Sequence, residues 1–229
     1  MWARSRTDTS VGPAGLVGRE GGELAELAAF LDMAGTNGAA LLLTGDPGVG
    51  KTALLDATAE LAVAKGVRVV RGSGVEYETD ISFAGLHQLV GSLPDELGRL
   101  PRSTREALEV ALGLGAGPAS SRIAVLNAAL ALFDEAAKEQ PFLLVVDDLH
   151  AVDQASQAAV GFVARRLGGR RIGLLGAQRE ESDESFRSVG LPELKIAPLD
   201  DADAATAVPA FRPPPPRRVL STVAHEAQE

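Results

Sequence analysis

Eight consecutive residues, Gly45-Asp46-Pro47-Gly48-Val49-Gly50-Lys51-Thr52, have the types and spacing that hold a chain of phosphates. They fit the phosphate-loop pattern G-x-x-x-x-G-K-[ST]. Backbone amides converge on an anion only where side chains do not block them, which Gly48 and Gly50 ensure. A helix opening near Lys51 adds free amides and the positive end of its dipole. Lys51 can neutralise charge on the β- and γ-phosphates, and the Thr52 hydroxyl can ligate Mg²⁺.

Such a loop needs an acid on a neighbouring strand to hold the metal. The run Leu143 to His150, "LLVVDDLH", supplies two. Asp147 sits where an apolar strand ends and would face the metal. Asp148 follows and could orient or polarise an attacking water. His150 either contacts the γ-phosphate region or makes a structural hydrogen bond. A later strand exits at Gln178 and Arg179. In an open parallel sheet, ligands collect at the carboxyl ends of strands. Arg179 is the favoured sensor of the γ-phosphate, with a surface salt bridge as its alternative. Glu76, after the second strand, holds the same topological position.

The elements around these residues read clearly. Leu24, Leu27 and Leu31 recur at helical spacing between Arg19 and Ala34. "ALLLTG" is a buried strand, and residues 51–65 a helix with Leu55, Ala59 and Ala62 on one face. "VRVVRGSG" is a second strand. Residues 83–114 read as helical, and residues 121–138 form a helix whose core stripe is Ile123, Leu126, Leu130, Phe133 and Ala137. "PFLLVVDD" is a buried parallel strand. A helix over 155–167, the strand "RIGLLGAQR" and a short final strand "LKIAPL" follow. Strands alternating with helices imply an α/β fold, a parallel sheet covered by helices on both faces. The run "PAFRPPPPRRV" reads as extended polyproline, because proline lacks an amide donor and fixes φ.

The chain has 229 residues, 45% of them hydrophobic and only 4% aromatic, so its core must be built from Ala, Val and Leu. A net charge of −9 argues against nucleic-acid binding by charge alone. The absence of cysteine excludes disulfides and thiolate zinc sites. The three histidines are far apart in sequence, which argues against a metal site built on them. The N-terminus has no secretory h-region, and no apolar run reaches the ~20 residues that span a membrane. A cytoplasmic location is expected.

Five segments in order, "LVGRE" at 16–20, the phosphate loop, "SFAGLHQLV" at 82–90, "VVDDLHAVD" at 145–153 and "LPELKIAPLDDADA" at 191–204, resemble the N-terminal ATPase module of large ATP-binding regulators of the LuxR type. That module is of the AAA/STAND class of P-loop NTPases. The resemblance implies a three-layer fold on a five-stranded, mostly parallel sheet, with an extra strand between the phosphate-loop strand and the metal strand. It covers 16–204, the expected ATPase domain; the residues themselves read as a flexible arm at 1–15 and a disordered, proline-rich tail at 205–229. It places Val17, Gly18 and Arg19 near the adenine, gives Gly45 to Ala53 the phosphates, Thr52 and Asp147 the metal, and Asp148 and Arg179 the chemistry. The cofactors implied are ATP and Mg²⁺.

Two features depart from the family pattern. The run "DDLHAVD" lacks the tryptophan that often follows the acid pair, and the helical lid and helix-turn-helix of family members are not visible. A truncated member, with an altered reading frame as one route to it, is the expectation. The implied function is a slowly hydrolysing regulatory switch. Its partners would be nucleotide and either further copies or partner protein domains, with no direct DNA binding. The alternatives are a nucleotide-binding fragment without turnover and a small P-loop kinase, for which "RRLGGRR" at 165–171 has the charge but reads more simply as a helix end.

Overall fold

The computed structural model describes residues 22–180 and 190–198. Its centre is a sheet of five strands: β1 (Ala39–Gly45), β2 (Arg68–Ser73), β3 (Phe142–Asp147), β4 (Ile172–Arg179) and β5 (Glu193–Lys195). Their order is β2-β3-β4-β1-β5, and every described pairing is parallel. Strand β4 therefore lies between the phosphate-loop strand and the acid strand, as expected. The central strands are near-continuous apolar runs because both of their faces are covered.

On one face, Leu43, Leu143, Val145, Leu175 and Ala177 pack against α1 (Glu23–Asn37) and α2 (Lys51–Ala64). The other face carries Leu42, Leu144, Val146, Ile172 and Leu174. It is covered by α3 (Ala84–Gly91), α4 (Pro94–Arg99), α5 (Arg102–Ala111), α6 (Arg122–Ala136) and α7 (Gln154–Ala164). The core is chiefly Ala, Val and Leu, with Phe133 and Phe142 stacked at 6.0 Å between ring centroids.

Three expectations need correction. Of the expected stripe of α6, Leu130, Phe133 and Ala137 are buried, but Leu126 is only partly so and Ile123 is 55% exposed, and the buried face also takes in Val125, Ala128, Ala129, Leu132 and Ala136. This helix is apolar on nearly every side, so a 3-4 spacing can be drawn through several stripes, and tertiary packing chooses among them. Helix α7 stops at Ala164 with Arg165 as its C-cap, so Leu167 lies beyond it. The last strand is Glu193–Lys195, earlier than "LKIAPL", because its register is fixed by β1: Leu42 pairs with Glu193, and Thr44 with Lys195. The Ile196 N–H also donates to the Thr44 carbonyl at 2.7 Å. The expected arm at 1–15 and tail at 205–229 lie outside the described residues, as do Val17, Gly18 and Arg19.

At the opposite edge, Glu96 of α4 is buried between Arg68 of β2 and Arg99, and fastens that helix to the sheet. Burial alone would raise its carboxyl. The hydrogen bond from Arg68 and the charges of Arg68 and Arg99 outweigh it and hold the carboxyl below the usual glutamate range.

Candidate nucleotide site

The loop between β1 and α2 turns through Gly48 (φ 81°) and Gly50 (φ 97°). Side chains at these left-handed positions would be strained, so glycine is what the turn requires. Gly50 is the residue before α2, and no side chain caps that helix. Its first-turn amides and the positive end of its dipole therefore face the loop. Lys51 is 8% exposed, and its ammonium donates to the carbonyls of Gly45 (2.8 Å) and Asp46 (2.9 Å). Burial lowers its pKa, against the opposing pull of Asp148 and Asp147. An ammonium so placed gains from any anion brought beside it.

The candidate metal half of the site is assembled across the sheet. The Thr52 hydroxyl donates to Asp147 Oδ2 at 2.7 Å. The other oxygen, Oδ1, accepts from the Asp148 N–H at 2.8 Å. A hydroxyl and a carboxylate at hydrogen-bond distance beside a phosphate loop are the oxygen donors that Mg²⁺ takes. The residues present thus fit a magnesium-bound polyphosphate.

Asp148 has φ 46° and ψ 47°, a left-handed conformation that aspartate tolerates better than most residues. Its carbonyl accepts from the Ala151 N–H at 2.7 Å, closing the single 3-10 turn Leu149–Ala151. Gly74 makes this turn possible. A Cβ there would lie 2.2 Å from the Asp148 carbonyl oxygen. His150 is carried on the same turn, its side chain 14% exposed and its Nδ1 3.9 Å from Asp148 Oδ1. Neither ring nitrogen has a hydrogen-bond partner among the described residues. Burial, with the charge of Arg179, lowers the imidazole pKa against the pull of Asp148 and Glu76, so the ring is neutral near pH 7.

Parallel register sets Arg179 opposite Gly45, the first residue of the phosphate loop. Its Nη2 lies 3.8 Å from Glu76 Oε1, which brings together the two strand-exit residues read from the sequence. Strand alternation turns the neighbouring Gln178 to the other face, where it is buried with Nε2 unpartnered among the described residues. Asp46, Pro47 and Val49 fill the loop between the glycines, and Ala53 stands in the first turn of α2.

One pair of residues had no role in the sequence reading. Asp153 precedes α7, and its Oδ1 caps the Ser156 N–H at 2.9 Å. The same carboxylate reaches across to α3, accepting from Phe83 N–H (2.8 Å, Oδ1) and Gly85 N–H (3.1 Å, Oδ2). Ser156 Oγ accepts from the Leu86 N–H at 2.8 Å. The segments "VVDDLHAVD" and "SFAGLHQLV" are therefore joined through the amide end of α3. The D-x-x-S spacing ahead of an apolar run was the available cap signal, though nothing local announces the reach to α3.

Among solved structures, the chain is similar to PCH-2 from C. elegans at 14% identity and TM-score 0.45, covering 80% of this chain and 44% of that one. It is similar to the E. coli MS115-1 HORMA:CdnC:Trip13 complex at 15% identity and TM-score 0.51, covering 84% and 67%. It also resembles domain III of the replication initiation protein DnaA from Thermotoga maritima, at 19% identity and TM-score 0.44, covering 83% and 68%. The chain thus spans under half the length of the PCH-2 chain. No curated protein matches it. The family model for the AAA ATPase domain matches residues 15–175, from before the phosphate loop through the first half of β4. With well over half of its length matched, the chain belongs to the AAA ATPase domain family.

Proposed function

We propose that this chain is an ATP-binding, slowly hydrolysing regulatory module of the STAND type, serving a LuxR-type transcriptional regulator. The observation that carries the reading is the convergence of Lys51, the Thr52–Asp147 pair and Asp148 at the carboxyl edge of one sheet. Lys51 and the amides of the loop and of α2 would bind the phosphates. Thr52 and Asp147 would hold Mg²⁺, which would neutralise phosphate charge. Asp148 would orient the attacking water, and Arg179 would meet the γ-phosphate. Val17, Gly18 and Arg19 would contact the base. As a switch, the module needs ATP and ADP to bind two conformations unequally, and that difference is what partner domains or further copies would read. The same reading places it in the cytoplasm, and no described helix is long and apolar enough to cross a membrane.

The test is calorimetry of Mg·ATP with the full chain beside Lys51→Ala. A charge-assisted contact is worth about 1.5–3 kcal/mol, so the variant should bind at least about tenfold more weakly. Release of ADP from the wild-type chain then separates an ATPase from a binding module without turnover. Equal binding by the two chains would refute the assigned cradle.

A further inference from the structure

A buried imidazole with neither nitrogen partnered among the described residues is costly. Each unsatisfied polar group forfeits the hydrogen bonds it makes to water in the unfolded chain. The fold keeps His150 in that condition on a rigid mount. Leu149, its neighbour in the turn, is fully buried, and the turn is closed by the Ala151 N–H bonding the Asp148 carbonyl. The Asp148 carboxylate beside the ring is not equally held. The backbone of Asp148 is fixed by its bond to Asp147, but its carboxylate is half exposed.

We propose that His150 is a positioning residue for Asp148. When nucleotide closes the site, rotation of the Asp148 side chain brings Oδ1 from 3.9 Å into hydrogen-bond range of the His150 Nδ1–H. The imidazole then fixes the carboxylate that orients water. Separations that tighten only in the substrate complex are ordinary for catalytic hydrogen bonds. A base oriented by a third group follows the same logic as other catalytic constellations. The neutral ring suits the task, because a neutral imidazole carries one N–H donor and the bond needs only that. The charged groups facing it are Arg179, Asp148, Glu76 and Lys51. This assignment rests on the ATPase reading above and adds to it a residue that acts through Asp148.

The experiment uses the full chain with ¹⁵N-labelled histidine. The sequence contains only three, His87, His150 and His225, so His150→Asn identifies the signal. Spectra are taken with Mg²⁺ and ADP, then with Mg²⁺ and a non-hydrolysable ATP analogue, for wild type and Asp148→Ala. The expected result is a protonated, exchange-protected Nδ1 with the analogue that is lost in Asp148→Ala. In turnover, His150→Phe should lower kcat at least about tenfold with KM within about twofold, and His150→Asn, which keeps a donor, should recover most of it. Equal imidazole signals in wild type and Asp148→Ala would overturn the assignment. So would a His150→Phe variant whose nucleotide affinity and melting temperature fall together, the signature of a structural residue. Calorimetry of the analogue on the same samples distinguishes the two levels. An absence of binding overturns the nucleotide reading and this one with it, whereas binding with an unmoved imidazole overturns this one alone.

Discussion

Replacing Asp153 with alanine tests whether the two motifs on either side of the site are one mechanical unit. The carboxylate satisfies three backbone amides, of which that of Ser156 is fully buried and those of Phe83 and Gly85 are partly so. A buried amide left unpaired costs about 1–3 kcal/mol, and a partly buried one recovers some of this from water. Taking about 2 kcal/mol for Ser156 and about 1 kcal/mol each for the other two gives a loss of about 4 kcal/mol. That is a large part of the roughly 5–15 kcal/mol typical of a whole domain. Asp153→Asn should cost less, about 1–2 kcal/mol, because one oxygen can still serve Ser156 and Phe83 while its NH₂ opposes the Gly85 N–H. Urea unfolding followed by circular dichroism measures both, with hydrogen exchange at Phe83, Gly85 and Ser156 reporting the local effect. A loss below about 1 kcal/mol for Asp153→Ala, or equal losses for Ala and Asn, would refute the reasoning.

Gly74→Ala would put a methyl 2.2 Å from the Asp148 carbonyl oxygen and 2.6 Å from the Ala151 carbonyl carbon, so backbone must move. The expected cost in urea unfolding is about 1–3 kcal/mol, while Gly98→Ala in α4, with nothing within 4 Å, should be neutral or stabilising; equal effects would contradict the close approach. Thr52→Val keeps the shape and removes the hydroxyl that donates to Asp147. The Mg²⁺ concentration needed for ATP binding should rise about tenfold with little change in metal-free nucleotide binding, and an unchanged Mg²⁺ dependence speaks against the metal role. Glu96 has its folded pKa held below the ordinary 4.5, so its stabilising contribution is present above that value and is lost as pH falls through the folded pKa. The stability gap between wild type and Glu96→Gln should accordingly be constant near neutral pH and close in acid; a gap that persists unchanged through that acid range refutes the assignment.

The phosphate loop and the acid pair were legible in the sequence because their chemistry is local. Gly48, Gly50, Lys51 and Thr52 occupy one turn, and Asp147 follows directly from the strand that positions it. The strands were legible for a related reason, since burial on both faces writes a continuous apolar run. What was hidden depends on distant chain. Asp153 acts on amides about seventy residues away, so its D-x-x-S spacing shows the cap and conceals the bridge. The isolation of His150 is a property of what surrounds it. In α6 the sequence was ambiguous by excess, because a helix apolar nearly all round offers its neighbours more than one face to bury.

Strand β5 is short, but its position on β1 ties two distant segments together. Its neighbour Ile196 bonds Thr44, and the Ile196 carbonyl oxygen lies 2.5 Å from where a Gly45 side chain would begin. The first residue of the phosphate loop and the last stretch of described chain are thus in contact, with no room between them for even a methyl group. A side chain at Gly45 would therefore have to displace the backbone at Ile196.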